Sequence, residues 1–247
     1  MTNLTCKMKN TLFFITVLLC CYQPIFAQFN EDPILNLENE DKKRLNWGYF
    51  LGFNQYDFKF DYKEYDESQY KTDVLVGKSI GFNVGLIGEL RINDYFDIRL
   101  EPGLYYTQRD LLFPGFADEN DAIREVKSTY IHVPLLIKAS TKRLGNFKPF
   151  VVGGVSTSLN LSSSEDSAED NSTGTFRMKK TTYYYELGFG IDFYLRYFKF
   201  SPSIRGVFAL TDELIQDNPS TNAVDPNWTS NINHMYSRGV FINFTFE

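Results

Sequence analysis

The stretch "GFNVGLIGELRI", Gly81–Ile92, limits the possible folds more than any other part of the chain. Phe82, Val84, Leu86, Leu90 and Ile92 fall on one parity. Gly81, Asn83, Gly85, Glu89 and Arg91 fall on the other, with Ile87 the one large apolar exception. A period of two is a β-strand with two unlike faces. A soluble sheet turns its greasy face to a core; a membrane barrel turns it to lipid and buries the charged one.

The pattern recurs along the chain. Trp47–Phe58 sets Trp47, Tyr49, Leu51 and Phe53 against Gly48, Gly52 and Asn54. Phe96–Arg109 opposes Phe96, Ile98, Leu100, Leu104 and Tyr106 to Asp97, Arg99, Glu101 and Gly103. The same reading marks strands at Lys78–Ile92, Thr129–Ser140, Pro149–Leu161, Thr181–Leu195, Phe198–Leu210 and Tyr236–Phe246. These segments are longer than a typical soluble strand and long enough to cross a bilayer at a tilt.

The connections alternate too. Long polar segments (Lys59–Gly77, Asp110–Val126, Ser162–Lys179, Thr211–Met235) take turns with short ones at Asn93–Tyr95, Thr141–Phe147 and Arg196–Tyr197. Short periplasmic turns and long external loops are the pattern of outer-membrane barrels. Ser162–Gly174, "SSSEDSAEDNSTG", is acidic and low in complexity.

Charge decides which face is inside. The small parity carries Glu89, Arg91, Asp97, Arg99, Glu101, Lys138, Glu186, Asp192 and Arg205. A basic residue on the lipid face at the bilayer midplane costs about 2–4 kcal/mol, so this set belongs to the lumen. A narrow eight-stranded barrel fills its interior with side chains, and a near-neutral charge set suits that space. A lipocalin-like soluble barrel would need the reverse: apolar inside, polar outside. The sequence therefore predicts an all-β, eight-stranded antiparallel up-and-down transmembrane β-barrel with short periplasmic turns and long external loops. A three-residue turn at Asn93–Tyr95 would further place Glu89 opposite Arg99 and Arg91 opposite Asp97.

The N-terminus reads as a targeting segment. Lys7 and Lys9 precede the apolar run Thr11–Cys21, and "PIFAQ" offers a cut after Ala27. Residues 1–27 are expected to be a signal peptide, 28–46 a periplasmic segment and 47–247 the barrel. Cys6, Cys20 and Cys21 all precede the cut. A lipoprotein reading of "LLCC" is weaker, because no small residue precedes either cysteine.

Little points to chemistry. The chain is acidic, with 25 Lys and Arg against 31 Asp and Glu, and has no nucleic-acid motif, so nucleic acid is not an expected partner. Of the two histidines, His132 lies mid-strand and His234 in the last long connection, so no metal site is expected. Nor do they give a convincing Ser–His–Asp order, and no catalytic residue, cofactor or small-molecule substrate is expected. The lumen carboxylates read as structural ion pairs rather than acid/base machinery. Aromatics make up 17% of the chain. Trp47, Tyr49, Tyr105, Tyr106, Tyr183, Tyr185, Tyr194 and Phe198, near strand ends, read as interface girdles against outer-membrane lipid.

"YIHVPLLIK", "LEPGLYY" and "KPFVVGGVS" resemble the Bacteroidetes-type outer-membrane β-barrel family. With the polar "ILNLENEDKKRLNWG" stretch and "SRGVFINFTF", the chain is similar over nearly its whole mature length to the PorT/SprT family of the type IX secretion system. The resemblance implies a non-enzymatic outer-membrane component needed for secretion of sorting-domain proteins, and through it for gliding. Its partners would be other secretion-system components. It carries over no catalytic residues. By position, 28–46, Thr141–Phe147 and Arg196–Tyr197 are the candidate partner surfaces, with Lys142, Arg143 and Lys148 facing a partner or lipid head groups. A generic structural or adhesion barrel acting through its external loops is the alternative.

Overall fold

Alternation in the chain becomes a closed sheet in space. The computed structural model describes residues 34–63, 74–113, 122–163, 165, 176–216, 229 and 232–247. The chain divides into two units, Met1–Ile34 and Leu35–Glu247, and all the described strands belong to the second. The signal-peptide expectation falls outside the described residues.

The strands are β1 (Leu45–Tyr62), β2 (Leu75–Lys78), β3 (Ile80–Arg91), β4 (Phe96–Leu100), β5 (Gly103–Leu112), β6 (Ile123–Ser140), β7 (Phe147–Asn160), β8 (Thr181–Tyr194), β9 (Lys199–Ala209) and β10 (Ile232–Phe246). Pairing is antiparallel throughout, and β1 pairs with both β10 and β3, which closes the ring. β2 and β3 form one stave interrupted at Ser79; β4 and β5 form another interrupted at Glu101–Pro102. The barrel thus has eight staves, the number the alternation predicts.

Pro102 has no N–H to give to a ladder, which accounts for the second break. The backbone heals around it: Leu86 donates its N–H to the Pro102 carbonyl at 3.0 Å, and Glu101 donates to the Pro134 carbonyl at 3.3 Å. Opposite the break, Gly85 pairs with Gly103. A Cβ at Gly85 would lie 2.6 Å from the Phe50 ring, so the glycine makes room for that inward aromatic. At the first tight turn, Asn93 Oδ1 accepts the N–H groups of Tyr95 and Phe96, at 2.8 and 2.9 Å. That turn sets the register Glu89↔Arg99 and Arg91↔Asp97.

Outward residues form an apolar belt. Trp47 is 72% exposed, Leu187 66% and Ile137 58%, while their strand neighbours Asn46, Glu186 and Lys138 are buried. On β1 the belt runs from Leu45 to Phe53, close to the roughly 9–11 residues that a tilted strand needs to cross the hydrocarbon. Among the described residues no helix is long and apolar enough to cross a membrane; the strands cross instead.

The strands at the long-connection end continue past this belt, further than the sequence suggests. Residues Lys59–Tyr62, Leu75–Gly77, Asp110–Leu112, Ile123–Val126 and Ile232–Met235, read as loop, are strand. In this extension the two faces exchange character. Outward lie Asp57, Lys59, Gln108, Glu125, Lys127 and Arg238. Inward, Phe58, Leu111, Val126, Ile232 and Met235 pack with Phe113, Phe176, Met178 and Leu214 into an apolar plug. Two aromatic placements also change: Tyr105 and Tyr194 are 0% and 2% exposed and point into the barrel rather than to a girdle. Their parity is that of Glu101 and Asp192, so the strand period puts them inside.

Candidate functional site

The interior is a stack of layers, each supplied by inward residues of facing strands. Nearest the short turns, Glu89 of β3 is the hub. Its Oε2 accepts from Arg99 Nη2 at 2.6 Å, Arg99 Nε at 2.9 Å and Lys138 Nζ at 3.2 Å. Lys138 also donates to Asp192 at 2.7 Å, whose second oxygen accepts from Ser201 at 2.7 Å. Lys199 lies 3.5 Å from Glu89 and 2.6 Å from Glu247. Three acids meet three bases here, buried together. Removing water from charges is costly, and it is offset only where each charge finds partners of good geometry.

Arg99 reaches across to Glu101 at 3.4 Å and joins this layer to the next. There Arg205 donates to Glu101 at 2.8 Å and lies 2.9 Å from Glu186. The other Glu186 oxygen meets His132 Nε2 at 2.7 Å, while His132 Nδ1 meets Ser158 Oγ at 2.5 Å. Serine, imidazole and carboxylate thus stand in the order a hydrolase would use. The surroundings differ from those of a hydrolase. Ser158, His132 and Glu186 are all 2% exposed or less, and the rings of Tyr105, Tyr184 and Phe241 close around the imidazole with centroids 4.9–5.8 Å away. Glu186 is also held by Arg205. The trio sits as a packed link in the interior, with both imidazole nitrogens satisfied.

Above lies a layer made by the last long connection. Arg109 donates to Tyr130 at 2.8 Å and Ser237 at 3.1 Å, and its guanidinium rests 3.8 Å over the Phe58 ring. Ser237 donates its hydroxyl to Glu213 at 2.9 Å, and Tyr184 donates to the same carboxylate at 3.2 Å. Burial pushes the Glu213 carboxyl above its usual range despite Arg109 and these donors. Next to it, burial acts the same way on Asp212, but the Met235 and Leu214 N–H groups, His234 and Lys179 outweigh it and lower that carboxyl.

At the opposite mouth the segment before β1 is tied across the barrel end. Tyr194 donates to Asp41 at 2.9 Å, and Arg143 donates to Asp41 at 3.0 Å and to the Asn36 carbonyl. Asn36 donates its N–H to the Asn146 side chain at 2.9 Å, and Arg91 donates to the Asp41 carbonyl. Arg143 stacks 3.8 Å over the Tyr194 ring. β1 begins at Leu45, so the last two residues of the expected 28–46 segment belong to the barrel.

Of the nine charged residues singled out from the sequence, eight are buried inside the barrel and Arg91 stands partly exposed at the short-turn mouth. Lys199, Glu247, Arg109, Glu213 and His132 join them; all but Glu213 share the inward parity of the set, His132 that of Lys138, Arg109 that of Glu101 and Lys199 that of Arg205. Lys199 and Arg109 lie at the ends of the segments the alternation marks, and Glu247 follows the last strand. For Glu213 there is no strand parity to read. Among the described residues no group of three or more His, Cys, Asp or Glu is placed to hold a metal ion.

Of the comparisons with known proteins, the match to a family model shows the family. No curated protein matches the chain. Among solved structures it is similar to OprG of Pseudomonas aeruginosa (16% identity, TM-score 0.43, covering 82% of this chain and 93% of that one). It is also similar to the N-terminal barrel domain of OprF from the same organism (12%, TM-score 0.37, 81% and 98%). A third is the Ail protein of Yersinia pestis, in complex with the heparin analogue sucrose octasulfate (11%, TM-score 0.38, 83% and 99%). Likenesses this distant say nothing of what the chain does. The model of the outer membrane protein beta-barrel domain matches residues 26–214, most of the chain. With a closed ring, an apolar belt and an interior of paired charges, the chain belongs to that family of outer-membrane β-barrels.

Proposed function

We propose that this chain is a non-enzymatic outer-membrane component of protein export by the type IX secretion system, acting through its periplasmic end. The family and the location stand on the barrel itself; the secretion role rests on the resemblance to the PorT/SprT family. One observation carries the mode of action. The interior is filled by ion-paired, aromatic and apolar layers, and the segment before β1 is tied across one mouth by Asp41, Arg143 and Tyr194. A barrel filled in this way acts at its ends and on its surface. In this reading the short turns and residues 28–44 face the periplasm, where other export components meet the barrel, and the lumen charges hold the barrel together.

Deleting the gene and comparing the secreted proteome tests the role. Loss of sorting-domain proteins from the medium is expected, and intact secretion would refute it. Replacing residues 28–43 with a glycine–serine linker is then expected to impair secretion while shortening Ser162–Lys179 leaves it intact. The reverse result would favour the adhesion-type barrel that works through its external loops.

A further inference from the structure

Between the two short turns at Asn93–Tyr95 and Thr141–Phe147 lies a cavity of about 200 Å³, lined by Asp41, Arg91, Asp94, Lys142, Arg143 and Lys148. Four cations thus face two carboxylates. Two of the cations are already engaged: Arg143 is bonded to Asp41, Gly145, Asn146 and Asn36, and both terminal nitrogens of Arg91 are drawn to Asp41, its Nη1 donating also to the Glu40 carbonyl. The rest of the wall is different. Lys148 is 5% exposed and, among the described residues, its ammonium makes no hydrogen bond or ion pair. Arg91 Nε is buried without a hydrogen-bond partner, with Asp97 Oδ1 no nearer than 3.6 Å. Lys142, on the turn above, is exposed.

Lys148 is buried except where its ammonium meets the cavity, and with Asp97 and Asp192 near but beyond ion-pair distance it is free to take an anion that enters there. Here the unmet donors line one cavity and keep an excess of positive charge even when Asp97 is counted. Lys148 and Arg91 are inward residues of β7 and β3, so the cavity lies inside the rim, away from the lipid-facing belt. We propose that this cavity binds a carboxylate of an acidic peptide segment carried by a periplasmic partner, with Lys148 and Arg91 Nε as its donors and Lys142 at the entrance. A lipid phosphate chemically resembles such an anion, but head groups lie outside the rim and this cavity opens within it. The inference deepens the proposed function, resting on it for the partner's cellular location and on the cavity alone for the chemistry.

The test uses the purified full-length mature barrel in detergent and in nanodiscs, so its outcome does not depend on what a deletion strain secretes. A fluorescent tetraglutamate peptide is the probe, with a tetraglutamine peptide as its uncharged match. Binding selective for tetraglutamate is expected, about tenfold or more weaker in Lys148→Met. Lys142→Gln should weaken it less, and Lys59→Gln at the far end not at all. Lys148→Met removes an unpaired charge and keeps the side-chain length, so the variant should fold, and a retained unfolding midpoint confirms that it has. Equal binding of the two peptides, or unchanged binding by Lys148→Met, overturns the proposal. So does failure of the peptide to bind while anionic-lipid nanodiscs protect Lys148 from acetylation, which would make the cavity a head-group site.

Discussion

The same strands run through two regions whose insides and outsides are opposite. Along β1 the outward residues are Leu45, Trp47, Tyr49, Leu51 and Phe53 within the belt, then Gln55, Asp57, Lys59 and Asp61 beyond it. The inward residues change from Asn46 and Asn54 to Phe58 and Phe60. β6 does likewise outside, where Ile137, Leu135 and Ile131 give way to Lys127 and Glu125; inside, Lys138 and His132 give way to Val126, with Arg124 the charged exception. On β1 as far as Asp61, and along β6, the period of two holds; what reverses is the solvent. In lipid a strand must hide its charges and in water its apolar groups, so one fold uses both rules. Arg109, lying over the Phe58 ring, marks the boundary between them.

The reversal explains what can be read from the sequence. A greasy face against a charged one stands out over a long run, so the staves, the first turn and the Glu89–Arg99 register are legible. In the extension the polar face looks like a loop, as in "KFDY" and "REVKSTY", and a reading by alternation cuts the strands short there. Nearness to strand ends suggests a girdle for Tyr105 and Tyr194, although their parity already points inward. Glu213 enters the barrel from a connection, where no period gives its direction. The Ser158–His132–Glu186 link joins three strands, and a single sequence does not show which residues share a level.

Exchanging a cation in each region separates them most widely. Arg99→Met takes one cation from each of the buried carboxylates Glu89 and Glu101, leaving Lys138 and Lys199 to the first and Arg205 to the second, and is expected to cost about 3–5 kcal/mol. Arg238→Met, outside the extension, loses only an ion pair with Asp57 that is half in solvent, worth about 0.2–1 kcal/mol. Urea unfolding of vesicle-inserted protein reads both, and equal losses would erase the distinction. The plug answers to apolar volume instead. Leu111→Ala, at a fully buried position, is expected to lose about 2–5 kcal/mol by the same measurement. A loss below about 1 kcal/mol would mean that the extension is not held by its core.

The outer faces give the next contrast. Leu187→Arg puts a charge on the apolar belt and should cost about 2–4 kcal/mol if it lies near the midplane. Gln108→Arg, outward on the extension beside Glu125, should stay within about 0.5 kcal/mol of the parent. If both are tolerated, the belt does not face lipid.

The smallest effect lies within the extension, where neighbouring carboxylates shift in opposite directions. Asp212 is lowered, so its contribution to stability is complete above the ordinary Asp range of about 4 and is lost as pH falls through its own lower pKa. Glu213 is raised, so its contribution is complete below the ordinary Glu range and is lost as pH climbs through its higher pKa. Asp212→Asn is therefore expected to flatten the acid side of the stability profile, and Glu213→Gln the fall on the other side. Urea midpoints taken from about pH 3 to pH 8 on the parent and both variants check the signs. If the three profiles run parallel, water reaches both carboxylates alike and the extension is less dry inside than its apolar plug implies.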